Sequence, residues 1–496
     1  MGLLSLLLWT PALGSALLVV IPAHNIRLLR GLSCVVALIA VAFSAWLAMD
    51  FNRHSGSLQF NEHLPLNPHL GSSYTLGLDG FSLPMVLLTS TLLLVALIAS
   101  WHLTIATKSY YLGFLVTEFG MLGVFLSQNW TLFYIFWEIT VIPLYFLIGR
   151  WGGPRRQAAS LNFALYALIG SACMLVSLLA LSQYDLHSPE AFITTLPEAI
   201  HSLPITAQIL VLLGFLVGFG IFIPLFPLHG WLTTAHIEAP SSVSMLLSGL
   251  LVNMGAYGLL RIFPSLPDAT FALQPYLLSL GALSILYPSL LAWRQHTMNA
   301  TLTYASFSQM GMVLLSMSTL TEAGWSGAIF TMMAQGLIYP SLFLLTGGLF
   351  ERTQTFNINH YGALLSPMPR FSLLLILSLF AASGLPGGVA FIATIYVFIS
   401  CFETWPWLVL VLGISVIIKA NYLLRIISAL LSVSTKAPRP HLVDLRSNEL
   451  IASGLLVSFI LGLGCLPSFW LTLSTASIKL TQTHFSKHSQ PIIHLP

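Results

Sequence analysis

Apolar runs of about 18 residues or more recur along this 496-residue chain from end to end, each long enough to cross a hydrocarbon core as a helix. Fourteen stand out, near 3–21, 32–49, 81–101, 110–127, 131–149, 159–182, 207–228, 241–262, 273–292, 301–319, 325–349, 371–398, 406–432 and 450–473. Backbone amides have no water to bond inside a bilayer, so runs of this length select helices. Only 7% of residues are charged, against about a quarter in soluble domains. The expected fold class is an all-α polytopic membrane protein with about 14 transmembrane helices. The first run has no basic n-region and no clear small-residue cleavage site before His24, so it reads as a retained span.

Loop charges support the span count. With alternate loops assigned to opposite sides, one side holds Arg27, Arg30, Lys108, Arg150, Arg155, Arg156, Arg294, Arg352, Arg370, Arg425, Lys436, Arg439 and Arg446. The other holds mainly Arg53, Lys479 and Lys487, with an acidic loop of Asp185, Glu190 and Glu198. This positive-inside pattern predicts an even number of spans, with both termini on the outer or lumenal side. The stretch 51–79 reads as the longest outer loop, 433–449 as a basic inner linker, and the tail after 474 as a segment lying along a partner or the membrane surface.

The net charge of +3 gives no sign of nucleic-acid binding. Cys34, Cys173, Cys401 and Cys465 form neither a CxxC motif nor a disulfide framework. No haem, iron–sulfur, flavin, Walker A or GxGxxG signature appears, so no cofactor or metal is expected in this chain.

Pro224 and Pro227 interrupt the seventh run, and Pro386, among Gly384, Gly387 and Gly388, interrupts the twelfth. Breaks five spans apart point to two inverted five-helix repeats around an ion path. The expected segments are a three-span region 1–108, repeats 109–262 and 263–432, and a final span with tail, 433–496.

Few residues in the spans can titrate. Glu138 lies in Thr131–Ile148, five residues before Pro143, and its carboxylate must be paired, desolvated or protonated. Glu118 belongs to the fourth span, nearer the membrane face. His229 and His236, seven apart, are expected on one helix face as proton relays or as hydrogen-bonded structural groups. Lys419 in the thirteenth run either titrates or snorkels beside Arg425. The polar residues Asn162, Asn253, Gln309, Gln335 and Thr394 read individually as helix-bridging groups.

Several segments together resemble the antiporter-like membrane subunits of complex I-type NAD(P)H–quinone oxidoreductases, of the chain 4 type. These are Phe136–Ile148, Trp151–Arg156, Pro224–Trp231, Ala235–Pro240, Met254–Arg261, Gln309–Gly311, Phe350–Thr353 and Gly384–Gly387. The resemblance implies fourteen spans, broken seventh and twelfth helices, and protons moving along buried charges at mid-membrane. Glu138 matches the family's fifth-span glutamate. Phe222 and Asn253 stand where the seventh and eighth spans carry lysine, Thr394 where the twelfth carries an acid or lysine, and Asn162 at a further lysine position. Gln309 and Gln335 occupy positions usually held by histidine.

The implied function is a proton-translocating membrane-arm subunit of an NAD(P)H- or ferredoxin–quinone oxidoreductase. Its departures fit a specialised paralogue, such as a carbon dioxide uptake form. Quinone, iron–sulfur clusters and flavin are then expected in partner subunits, within a bacterial cytoplasmic, cyanobacterial thylakoid or organelle inner membrane. A multisubunit cation/proton antiporter and a non-pumping structural subunit of the arm are the alternatives.

Overall fold

The computed structural model describes residues 2–67, 72–184, 203–361, 364–431 and 442–488. The acidic loop Asp185, Glu190 and Glu198, together with Lys436 and Arg439, lies outside the described residues. Seventeen helices and one hairpin are described: α1 Leu3–Val20, α2 Ile26–Asp50, β1 Gln59–Asn67, β2 Ser72–Leu78, α3 Ser82–Ala99, α4 Thr107–Leu126, α5 Trp130–Trp151 and α6 Arg156–Tyr184. Then follow α7 Ile205–Phe222, α8 Gly230–Glu238, α9 Ser241–Ser265, α10 Pro267–Arg294, α11 Met298–Ser318 and α12 Glu322–Thr353. The last are α13 Pro369–Ser383, α14 Val389–Thr404, α15 Trp407–Leu431, α16 Ser447–Cys465 and α17 Pro467–His488.

Twelve of these helices are long and apolar enough to cross a membrane. The more polar α11 and the shorter pair α13/α14, two halves of one interrupted crossing, complete the expected fourteen. The seventh crossing breaks between α7 and α8, around Pro224 and Pro227, and the twelfth between α13 and α14. At the second break Gly384 and Gly387 adopt φ of +80° and +96°, which the absence of a Cβ permits.

Helices α9 and α12 are 100% buried along their apolar windows, whereas α2, α6 and α15 are only 33% buried. The apolar outer helices therefore meet lipid or neighbouring chains, and α9 and α12 form the axis. Capping sets several starts: Asn129 accepts from Thr131 N–H for α5, and Thr321 from Gly324 N–H for α12.

Two segments expected on the outer side carry more structure than the sequence suggests. Within the stretch read as a loop, Gln59–Asn67 and Ser72–Leu78 pair as antiparallel strands. From β1, Glu62 accepts hydrogen bonds from the backbone N–H groups of Gly2, Leu4 and Ser5, so the hairpin caps α1. The tail forms α17, which packs across its own chain: Phe485 meets Phe271 and Trp325, and Ser477 accepts from Gly80 N–H.

A buried ion pair ties α3 to α9. Arg261 donates to both oxygens of Asp79 at 2.6 and 2.7 Å and to Tyr257 Oη at 2.9 Å. Burial works to raise Asp79, yet the Arg261 charge and the hydrogen bonds hold its carboxyl below the ordinary range. Removing one partner, as in Asp79→Asn or Arg261→Gln, strands the other and should cost about 3–5 kcal/mol. Thermal unfolding in detergent should show the single changes lowering stability more than the double change does; a double variant as weak as the sum of the singles contradicts this tie.

Candidate functional site

The centre of α9 is wound as a π turn, Leu247–Leu251. Such a turn displaces carbonyls from the regular helical ladder. Here two amide side chains take them. Gln335 of α12 donates to Ser248 O at 2.8 Å and to Ser306 Oγ of α11 at 2.6 Å. Asn253 donates to Gly249 O at 2.8 Å and to Met332 O of α12 at 2.9 Å. One turn beyond Ser306, Gln309 Oε1 accepts from Lys419 Nζ of α15 at 2.6 Å. Residues expected to act singly therefore form one transverse row, running from α9 through α12 and α11 to α15.

Each amide in this row keeps one atom buried without a hydrogen-bond partner: Asn253 Oδ1, Gln335 Oε1 and Gln309 Nε2. More than nine in ten buried polar groups in folded proteins are partnered, by protein or by ordered water. Three orphans on neighbouring residues mark positions suited to water molecules.

The row ends in a titratable group at Lys419, and a second titratable group, Glu118, is buried on α4. Lys419 is 7% exposed; it reaches inward to Gln309 and does not snorkel beside Arg425. Glu118 is fully buried, and neither carboxyl oxygen has a partner. It is the twelfth residue of α4 and lies at mid-helix, contrary to a position near the membrane face. The helix starts at Thr107, before the apolar run that marks it in the sequence. On α4, Tyr110 bonds Ser242 near the start of α9, and Phe125 contacts Tyr257 near its end. The spacing 110, 114, 118, 121, 125 puts Glu118 on the side of α4 that meets α9 through Tyr110 and Phe125.

Glu138 sits elsewhere. It is half-buried on the outward stripe of α5, between Ile135 and Ile142, which are both exposed. Its Oε1 has no hydrogen-bond partner, and Tyr134 adjoins it one turn earlier. The inward face of α5 is aromatic: Trp137 meets Phe222 edge-on at 4.8 Å and Phe219 at 5.4 Å, and Phe163 and Trp231 extend the slab. Phe222 thus seals the interior behind Glu138 with apolar surface. Asn162 links α6 to α8 through Thr234 Oγ1 at 3.0 Å, and Thr394 bonds back to Ala390 O.

The two histidines face different helices. His229 stacks on Phe307 at 4.8 Å, whereas His236 lies parallel to Phe343 at 4.4 Å. His236 is 1% exposed, with neither ring nitrogen partnered.

Sequence reasoning missed two charge clusters. One is Asp79–Arg261. The other lies on the arginine-rich face, where Arg352 pairs with Glu449 at 2.5 Å, and Glu351 meets His102 at 3.1 Å and Arg446 at 3.7 Å. The available signal was the acid–base alternation of Glu351-Arg352 and Arg446 to Glu449. The Glu351 hydrogen bond raises His102 above its ordinary value.

A family model described as "NADH:quinone oxidoreductase/Mrp antiporter, TM" matches residues 127–418. NADH-ubiquinone oxidoreductase chain 4 of Arabidopsis thaliana is 32% identical over 493 residues, covering 98% of each chain. NAD(P)H-quinone oxidoreductase chain 4 1 of Synechococcus sp. (strain JA-3-3Ab) is 36% identical over 426 residues, 83% of this chain and 80% of the relative. Among solved structures, a chain of respiratory complex I from Thermus thermophilus matches with TM-score 0.87 and 28% identity, over 97% of this chain and 99% of that one.

Two outcomes check the geometry. Gln335→Leu leaves Ser248 O and Ser306 Oγ without their donor and should cost about 1–3 kcal/mol in thermal stability; an unchanged unfolding temperature contradicts the bonding. Because His102 is raised in the folded chain, its contact with Glu351 stabilises fully below the unfolded value near 6.5 and is lost as pH rises through the folded value. Wild type should therefore exceed His102→Gln in thermal stability in mildly acidic buffer, with the difference vanishing in alkaline buffer. A difference that grows with pH contradicts the pairing.

Proposed function

The chain belongs to the NADH:quinone oxidoreductase/Mrp antiporter membrane family, and from that premise we propose that it carries protons in the membrane arm of a quinone-reducing complex. The observation behind this reading is the buried amide row with its orphaned atoms, bonded at one end to Lys419, with the buried Glu118 on the side of α4 that meets α9. Amides do not change charge at any working pH, but they hold water, and water passes protons between groups that do ionise. Charge changes are thus confined to Glu118 and Lys419, and the amides provide the connection.

Glu138 takes a different part. Its outward position suits coupling to an adjoining membrane subunit, so that its ionisation reports on a neighbour rather than on Phe222 behind it. A carboxylate facing a low-dielectric contact is costly unless that neighbour supplies a compensating group. Redox centres and quinone belong to the partner subunits in this reading, and this chain contributes only proton carriers. Its arginine-rich loops support an orientation with both termini on the outer side. The cyanobacterial relative supports a thylakoid or plasma membrane as host.

A structural, non-pumping role is favoured by one observation, the aromatic slab sealing the interior around Phe222. The two readings part on one experiment. In membranes holding the assembled complex, Glu118→Gln and Lys419→Met should each slow coupled proton translocation about a hundredfold, the lower end for loss of a positioned proton carrier. Quinone reduction by an uncoupled preparation should persist. An unchanged ratio of protons to electrons in both variants assigns the chain a structural role.

A further inference from the structure

A cavity of about 500 Å³ opens on the arginine-rich face at the corner between α5 and α6. Arg150 enters it from the end of α5 and Arg156 from the start of α6. Among the described residues no carboxylate lines it. Two guanidiniums facing one concavity without a counter-charge concentrate anions there.

These two arginines differ from the other cations of the same face. Arg30 donates to Leu103 O at 2.8 Å, Lys108 to Val19 O at 2.6 Å and Arg425 to Gln295 O at 2.6 Å, so each is committed to a backbone carbonyl. Arg352 is paired with Glu449. Arg150 makes no hydrogen bond among the described residues. Its guanidinium lies over the Trp151 ring, 5.3 Å from the centroid, and Trp151 is itself held by Ile105 O. Arg156 has only a 3.3 Å bond to Gly152 O, and most of its donors remain free. Tyr145 and Gln157 line the same cavity, and neither the hydroxyl nor the side-chain amide has a partner among the described residues.

The cavity continues into apolar surface. Phe146 and Leu161 line it and are 58% and 55% exposed. Ile142 extends the exposed stripe one turn further on α5, and Leu165 and Leu168 extend the one on α6. Arg150 stands twelve residues from Glu138, about 18 Å along the helix. One leaflet of hydrocarbon is about 15 Å deep. An acyl chain anchored at the arginines therefore ends near the depth of Glu138.

We propose that this cavity holds the headgroup of an anionic membrane lipid, its phosphodiester or sulfonate clasped between Arg150 and Arg156 and its acyl chains laid along the α5–α6 stripe. A guanidinium fork bonds two oxygens of such a group at once, and basic pockets between spanning helices take anionic headgroups in this way. A free phosphate would meet the same guanidiniums but leave Phe146, Ile142 and Leu161 uncovered, so the apolar stripe singles out the lipid. The lipid covers the inner half of the α5 stripe and leaves Glu138 to the adjoining subunit. The site stands whether or not the amide row carries protons.

The test uses the assembled complex, purified in mild detergent. It is loaded with a phosphatidylglycerol whose acyl chain carries a photoactivatable diazirine, and crosslinked peptides are identified by mass spectrometry. Crosslinks to residues 142–150 and 157–168 are expected, weakening about thirtyfold in the double variant Arg150→Gln/Arg156→Gln, which loses two charges at the membrane surface. The phosphatidylcholine counterpart should label these residues weakly in both forms. Equal labelling by the two lipids, or labelling unchanged in the double variant, overturns the site. Suppression by inorganic phosphate as complete as by unlabelled phosphatidylglycerol also overturns it, because the arginines then take a free anion. Absence of crosslinks from either lipid puts a protein neighbour over the stripe and overturns it as well. If the double variant fails to assemble, the comparison of the two lipids on the unsubstituted complex decides.

Discussion

A polar atom inside a membrane-spanning bundle has to find a partner, and the architecture of this chain turns on where its partners run out. The π turn in α9 displaces carbonyls at the point where α9, α11 and α12 meet. Gln335 and Asn253 satisfy them with one end of each amide and leave the other end empty. An apolar substitution at these positions would fill the space but strand the carbonyls. The row is therefore required by the helix geometry as well as suited to holding water.

The chain separates tasks that a lysine would combine. A buried lysine both fills a polar site and changes charge, and its desolvation must be offset continuously. Neutral amides remove that cost along the middle of the row and leave it only at Glu118 and Lys419. Around Phe222 the substitution goes further, since an aromatic slab replaces the polar site altogether. The interior thus offers polar sites suited to water in one region and an apolar seal in another, and Glu138 lies on the outer side of the seal.

Much of the fold was legible from hydropathy, because span length is dictated by bilayer thickness; the fourteen crossings follow from it, and both breaks from Pro224, Pro227 and Pro386 with its flanking glycines. The resemblance located Asn253, Gln309 and Gln335, but as separate losses of charge. Their union depends on a π turn and on helix rotations that no periodicity in α9 discloses. Glu118 was read as nearer the membrane face although its own run, 110–127, already sets it near the middle. The paired strands 59–67 and 72–78 were hidden by their shortness and polarity, although Tyr74, Leu76 and Leu78 alternate with smaller residues. Arg446 was visible only as a loop charge and Glu351 only within Phe350–Thr353, since their pairing joins segments distant in the chain.

The central claim is that the amide row is hydrated and continuous between Glu118 and Lys419. A high-resolution density map of the assembled complex in lipid tests it most directly. Ordered waters within hydrogen-bonding distance of Asn253 Oδ1, Gln335 Oε1 and Gln309 Nε2, linking Glu118 to Lys419, are the predicted result. A dry row, with those atoms bonded to protein or packed against hydrocarbon, would contradict the account.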